Sequence, residues 1–420
     1  MSMRSTSVYF WLPDSSRPAL AGKFEWDGGQ GRFLYDEGYL KDSRAIPIDP
    51  VSLPLKRSRL IETRQKGIFG VFSDSSADAW GKRILESQYG ALDEFDVLEK
   101  SLDDGVGAIA IGDLSSKVAT VYLLSDIEKA ASNIEAEQAD DVPADLLHLL
   151  RPTTSLGGAK PKINIEHKGE MWIAKFIERG DSIYLPHAEH ALLQLGKECG
   201  INTCDSEVVQ VSKDCYAILV KRFDRTRVAD GYSRRGFASA HTVLRVQPDS
   251  GLNDKSYIKL AYEIQRWSDP AEAPEQRREL WRRIVFNAIV GNSDDHTKNH
   301  GLLQYGASWK LSPAFDIVPF MFPRRDGLSL AMSFAKMDGR MTAVVSTESL
   351  LANCQQFGYK RDEAKATLLD MAGIVATKWH SYMLGADMPS SEVDRFHNSF
   401  AFARAVLEEM SPTQIDVMDM

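Results

Sequence analysis

Apolar and polar positions change their period along the chain. Between Val8 and Tyr35, apolar and aromatic residues come in short runs (Val8–Leu12, Phe33–Tyr35), punctuated by Gly28-Gly29 and Gly31. That pattern predicts short strands and turns. Pro47, Pro50 and Pro54 mark a loop. The stretch SDSSADAWGKRILESQYG (73–90) has helical spacing. Asp74 or Ser75 could cap it, Ala79, Trp80, Ile84 and Leu85 give one apolar face, and Gly90 ends it. Residues 101–124 return to β-formers mixed with glycine (GAIAIGDL, VATVYLL).

Residues 126–145 (DIEKAASNIEAEQADDVPAD) are acidic and polar and read as a linker or a surface helix. After residue 150, SLGGAKPK is a glycine-containing loop. KINIEH and MWIAKF alternate as two strands around the turn His167-Lys168-Gly169-Glu170. Ala188, Ala191, Leu192 and Leu195 recur at helical spacing, and Gly200 sits where a C′ residue belongs. EVVQV and YAILVKRF read as a further hairpin. Beyond residue 255 the period is helical: Tyr257–Trp267, then a stripe of Trp281, Ile284, Val285, Ala288 and Ile289, then 361–385 and 391–410.

The fold class predicted from this succession is α+β. Residues 1–125 are expected to form a β-rich N-terminal subdomain, 126–149 an acidic linker, 150–225 a β-rich lobe and 226–420 an all-helical lobe.

At 420 residues the chain has room for two or three domains, and its 43% hydrophobic and 26% charged content is that of an ordinary globular protein. The net charge of −9 is carried by the first 150 residues, with 16 Lys and Arg against 25 Asp and Glu; the remainder balances. Neither part is basic, which argues against duplex DNA binding as the main activity, since phosphate contacts need an excess of Lys and Arg. Cys199, Cys204, Cys215 and Cys354 form no CxxC pair, so free thiols are expected rather than a zinc site. The N-terminus has no apolar signal region and no window approaches a membrane span. A cytoplasmic protein without a membrane partner is the expectation.

Three segments carry candidate chemistry. GNSDDHTKNHG (291–301) packs Asp294, His296, Lys298 and Asn299 into six residues directly after an amphipathic helix. In WKLSPAFDIVP (309–319), Asp316 stands in an apolar run, where a carboxylate needs a partner or a metal. In TTSLGGAKPKINI, Gly157 and Gly158 allow close backbone approach to a phosphate, and Lys175 follows mid-strand in WIAKF, where it needs an anion. No Walker A loop is present. A glycine loop, a strand lysine, a helix bearing Glu189, a hairpin, an Asp…Asn loop and a later Asp follow the order of a two-lobed, protein-kinase-like fold. H-R-D and D-F-G are replaced by D-D-H-T-K-N and A-F-D.

With those segments in order, the sequence resembles the HipA family of serine/threonine-protein kinase toxins of bacterial type II toxin–antitoxin modules. The family's G-x-x-D-x-H-x-K-N matches Gly291, Asp294, His296, Lys298 and Asn299. Its S-x-x-G-A-Q-P-K loop matches Ser155, Gly158, Ala159, Pro161 and Lys162. Its V-x-R-F-D-R hinge matches Val220, Arg222, Phe223, Asp224 and Arg225, and its N-terminal elements match FLYDEGYL and SDSSADAWGK. Lys160 stands where the family often has Gln, Lys221 at a hinge position that can be acidic, and Asp295 where small residues also occur.

The resemblance implies an ATP- and Mg2+-dependent kinase with Asp294 as catalytic base and Asn299 and Asp316 as magnesium ligands. Lys175 matches the lysine on the ATP phosphates, with Glu189 as its partner. The loop from Gly157 through Gly158, Ala159 and Lys160 to Lys162 would cover those phosphates. Val220, Lys221 and Phe223 match the adenine hinge, held mainly by backbone groups, and His296 orients the catalytic loop beside Lys298. Ser155 matches an inhibitory autophosphorylation site. The implied partners are a HipB-like helix-turn-helix antitoxin, DNA indirectly through it, and a protein substrate. The best-known family member modifies glutamyl-tRNA synthetase, which makes an aminoacyl-tRNA synthetase a candidate. Two other readings stay open: a co-repressor partner with weak or lost kinase activity, and a kinase-like small-molecule phosphotransferase.

Overall fold

The computed structural model describes residues 3–117, 120–136, 146, 160–177, 180–213, 215–320 and 328–410. The first sheet is antiparallel, in the order β4-β3-β2-β1-β5. Its strands are β1 (Arg4–Phe10), β2 (Ala19–Trp26), β3 (Gly31–Tyr35), β4 (Leu60–Glu62) and β5 (Ile109–Ile111). Alternate residues turn inward, as period-two patterning requires: Val8, Phe10, Phe24, Trp26, Phe33 and Tyr35 are buried. They pack against Phe69, Phe72 and Phe95, with edge-to-face pairs such as Phe24–Phe72 at 5.4 Å between ring centroids.

The expected helix at 73–90 is two helices, Gly70–Ser75 and Ala79–Tyr89. The cap of the second is Asp78, whose carboxylate accepts from the Gly81 N–H. Asp74 does not cap; it reaches across to Ser239.

The second sheet runs β6-β7-β8-β10-β9: β6 (Tyr122–Leu123), β7 (Lys162–His167), β8 (Glu170–Phe176), β9 (Ser206–Ser212) and β10 (Cys215–Lys221). The β7–β8 turn is the two-residue turn that the sequence marks, with φ of +53° at Lys168 and +74° at Gly169. β6 pairs in parallel with β7, which draws residues 122–123 out of the first unit and into this sheet. Of the two readings of the acidic stretch, linker or surface helix, its start takes the second, as the helix Leu124–Glu135. Ile127, Ala130 and Ala131 form its buried stripe under the sheet, together with Leu146. Asp126 and Glu128 are exposed, so bulk acidity gave no measure of burial.

The C-terminal part is helical, built on Tyr257–Trp267, Ala273–Ile289, Arg361–Gly385 and Ala401–Met410. It also carries short β elements, which corrects the all-helical expectation. β11 (Arg225–Val228) and β12 (Gly231–Arg234) form a hairpin; β13 (Phe237–Ser239), β14 (Gly301–Tyr305) and β15 (Ser308–Leu311) a three-stranded sheet; β16 (Ala335–Met337) and β17 (Arg340–Thr342) a second hairpin. The expected 391–410 helix is divided into Ser390–Val393, a 3₁₀ segment at Asp394–Phe400, and Ala401–Met410.

Buried side chains form two cores. One runs without a break from the first sheet into the C-terminal helices; the other lies under the second sheet. The cysteines are free thiols. Among the described residues, no helix is long and apolar enough to cross a membrane.

Candidate active site

Lys175 lies on β8 between Ala174 and Phe176, both buried. Glu189 is buried on the Leu185–Glu198 helix, which packs against β9 and β10. The Lys175 Nζ lies 2.7 Å from Glu189 Oε1 and 2.9 Å from Asp316 Oδ1. Three residues separated by up to 141 positions thus meet at one ammonium group. Burial alone would lower the lysine, but Asp316 and Glu189 outweigh it and hold it well above its ordinary value. Burial pushes the Asp316 carboxyl up, yet Lys175, then Lys160 and Lys162, bring it well below the usual carboxylate range.

Asp316 sits in the left-handed region, with φ of +59°, where Asp is tolerated better than most residues. The preceding segment is tied down on both sides. Ala314 N–H donates to the Asn202 carbonyl at 2.7 Å, and the buried Arg283 guanidinium donates to the Ser312 carbonyl at 2.7 Å.

The Asp294–Asn299 loop follows the Ala273–Ile289 helix. Gly291, with φ of +69°, makes the turn; a Cβ there would stand 2.7 Å from the Ser399 carbonyl oxygen. Asp294 and His296 are exposed. Asn299 Nδ2 donates to the Asp294 carbonyl at 2.8 Å, which leaves its amide oxygen as a free-facing acceptor. An oxygen from Asn299 and the carboxylate of Asp316 are a hard, oxygen-only donor set, the chemistry that suits magnesium. Asn292, Asn299, Phe315 and Asp316 are among the residues lining one small cleft.

Beneath the loop lies a network that the motif reading missed. The Tyr257 hydroxyl donates to Asp295 Oδ2 and lies 2.7 Å from His300 Nε2, while Asp295 Oδ1 accepts the Ala331 N–H at 2.7 Å. Burial raises Asp295 to about 7 and lowers His300 to about 3. The available signal was a second Asp and a second His inside GNSDDHTKNHG, each flanking a motif position.

In the hinge, Val220 is buried in β10. Lys221 N–H donates to the Asp205 carbonyl and Arg222 N–H to the Met171 carbonyl, each at 2.9 Å. Neither amide can donate to a nucleobase without breaking a bond, which narrows the expected backbone readout. Lys221 pairs with Glu170 at 3.2 Å. The Phe223 ring stands 5.7 Å from Phe315 and 5.8 Å from Phe237. Lys162 pairs with Asp78, and Lys298 is exposed within electrostatic reach of Asp74 and His241. Ser155, Gly157, Gly158 and Ala159 lie outside the described residues.

Comparison with known proteins bears on this arrangement. Residues 154–379 match the HipA-like C-terminal domain and residues 16–112 the HipA N-terminal domain. The chain belongs to the HipA family. Across 96% of its length it superposes on 97% of the HipA chain from a Shewanella oneidensis HipA, HipB and operator DNA complex, with a TM-score of 0.68 and 19% identity. The shared fold is therefore that of HipA. Curated relatives are a putative kinase of Haemophilus influenzae (24% identical, 39% of this chain and 52% of that protein) and the serine/threonine-protein kinase toxin HipA of S. oneidensis (22%, 40% and 43%). The chain spans about half the length of the curated relatives it matches.

Proposed function

We propose that the chain is a cytoplasmic, ATP- and magnesium-dependent serine/threonine protein kinase acting as a HipA-type toxin. The observation that carries this reading is the meeting of Lys175, Glu189 and Asp316 beside the Asp294–Asn299 loop. Lys175 grips the ATP phosphates and is held charged by its two carboxylates. Asp294, exposed at the loop tip, takes the proton from the substrate hydroxyl. Asn299 and Asp316 would hold magnesium, and the ion would supply positive charge beside the phosphoryl group. Lys160 and Lys162 stand within reach of Asp316, where phosphate oxygens would be drawn.

By the family resemblance, the loop from Gly157 to Lys162, whose residues 157–159 lie outside the described residues, would cover the phosphates. Phosphate on Ser155 would add about −1.5 to −2 charge and re-pair nearby lysines, drawing the loop away and silencing the enzyme. Neutralisation by a HipB-like antitoxin is supported by the fold shared with the HipA of a HipA–HipB–operator DNA complex.

Intact-mass analysis with MgATP, wild type beside Asp294→Ala, tests the reading. One phosphate added at Ser155 in wild type alone is the expected result. A phosphate gained equally by both would remove Asp294 from the reaction.

A further inference from the structure

The SDSSAD segment (73–78) belongs to the first domain, yet both of its aspartates reach the kinase-like body. Asp78 caps the Ala79–Tyr89 helix and pairs with Lys162, at the foot of the glycine loop. Asp74 goes elsewhere. Its Oδ2 accepts the Ser239 N–H at 2.8 Å and its Oδ1 accepts the Ser239 hydroxyl at 2.7 Å. A carboxylate taking two bonds from one residue fixes that residue's orientation as well as its position.

Ser239 is the last residue of β13, and the residues after it hold the Asp294–Asn299 loop from behind. Ala240 N–H donates to the His300 carbonyl at 2.7 Å, and His241 N–H donates to the Thr297 carbonyl at 2.9 Å. The His241 Nδ1 lies 3.2 Å from the Thr297 hydroxyl. The route from Asp74 to the loop is therefore short: one residue, then two backbone bonds that bracket Lys298 and Asn299. The first domain approaches this segment closely, since a Cβ on Gly70 would stand 2.6 Å from the Thr242 side chain. The continuous core between the first sheet and the C-terminal helices keeps the two parts from sliding.

The geometry points to Asp74 as a positioning residue for the Asp294–Asn299 loop, making the first domain a working part of the phosphotransfer site. The kinetic half of this inference rests on the kinase reading above; the structural half does not. Small displacements of positioned groups cost rate steeply, while substrate binding by other residues is left alone.

The test uses the full chain with Asp74→Ala and Asp74→Asn, read by steady-state kinetics, thermal melting and amide hydrogen exchange. Asp74→Ala is expected to lower kcat about tenfold or more with the KM for ATP within about twofold. Asp74→Asn, whose amide oxygen still accepts the Ser239 N–H, should recover part of that loss. In both, the Ala240 and His241 amides should exchange faster while those of β8 do not change. Unchanged exchange at 240–241, or activity lost only in proportion to the unfolded fraction, would overturn the inference. A wild type that transfers no phosphate sinks the kinase reading, and the exchange result then decides the Asp74 brace alone.

Discussion

Lys162 and Lys175 stand directly opposite each other on the antiparallel strands β7 and β8. Like charges at paired positions repel. The fold answers by giving each its own anion: Lys162 pairs with Asp78 from the first domain, and Lys175 with Glu189 and Asp316. Two cations are thereby held close together beside Asp316, an arrangement suited to a polyphosphate and awkward for anything uncharged.

Replacing Lys175 by Met removes the cation and leaves Glu189, only 3% exposed, as an unpaired buried carboxylate. Breaking a buried pair from one side costs about 3–5 kcal/mol. Lys175→Met is therefore expected to lower the urea midpoint and to abolish MgATP binding by titration. Normal nucleotide affinity in a folded Lys175→Met protein would remove this lysine from the phosphate site.

Asp295 gives the fold a pH response. Its carboxyl, raised by burial to about 7 from an ordinary 3.8, is protonated in the folded chain over a range where the unfolded chain has lost the proton. Its contribution is fully present below pH 3.8 and is lost as pH rises through about 7. Each tenfold change in proton affinity is worth about 1.4 kcal/mol, so the effect is on the order of a few kcal/mol. His300, lowered to about 3, works with the opposite sign below its ordinary 6.5 but does so in both proteins compared. Between about pH 4 and 7 the slope of melting temperature against pH should be more negative in wild type than in Asp295→Asn, whose amide mimics the protonated acid. Parallel curves would mean Asp295 is ionised throughout.

Much of this arrangement was legible in the sequence because its signals are local. The period of MWIAKF placed Lys175 on a strand with apolar neighbours, and the apolar run around Asp316 demanded a partner; the two satisfy each other. The Lys168-Gly169 turn and the Tyr257–Trp267 helix follow from turn chemistry and period alone. What could not be read was long-range. Nothing local tells that Asp74, expected with Ser75 as a possible cap, is taken up instead by Ser239, 165 positions away. The Leu124–Glu135 helix was read only as the alternative to a linker, because acidity gives no sign of its buried Ile127, Ala130 and Ala131, and the joining of β13, β14 and β15 into one sheet was not read, because its strands are only three to five residues long.

Arg222 was legible as a hinge residue, but its load is structural. Its guanidinium donates to both Asp224 oxygens (3.0 and 2.8 Å), to Asn164 Oδ1 (2.7 Å) and to the Asp104 and Gly105 carbonyls (2.8 and 2.9 Å). It thus joins the first domain, β7 and the hinge at one buried point. Lysine carries the charge without the planar fork, so Arg222→Lys leaves Asp224 and at least one carbonyl short of donors. A loss of about 3–5 kcal/mol is expected by chemical denaturation, whereas Arg227→Lys on the exposed face should leave the denaturation midpoint unchanged. Equal losses in the two variants would show that the network tolerates a point charge.

Phe223 links the hinge to the metal-ligand candidate. Its ring packs on Phe315, the residue before Asp316, and on Phe237 behind it. Asp316 holds a left-handed backbone, a conformation that a non-glycine residue keeps only when its surroundings enforce it. The enforcing contacts are the Lys175 bond on the side chain, the Phe223–Phe315 ring contact on the preceding residue, and the backbone bonds at Ser312 and Ala314 just upstream. Removing the ring takes away the contact adjacent to Asp316. Phe223→Ala is expected to cost about 1–2 kcal/mol of stability, since the ring is half-buried, and to weaken MgATP binding about tenfold. Phe223→Leu keeps bulk against Phe315 and should recover most of the affinity. Calorimetric titration of the three proteins checks this. If Phe223→Ala melts earlier yet binds MgATP within about twofold of wild type, the ring packs the hinge without setting Asp316, and the Lys175 bond with the upstream backbone bonds is sufficient to hold that carboxylate.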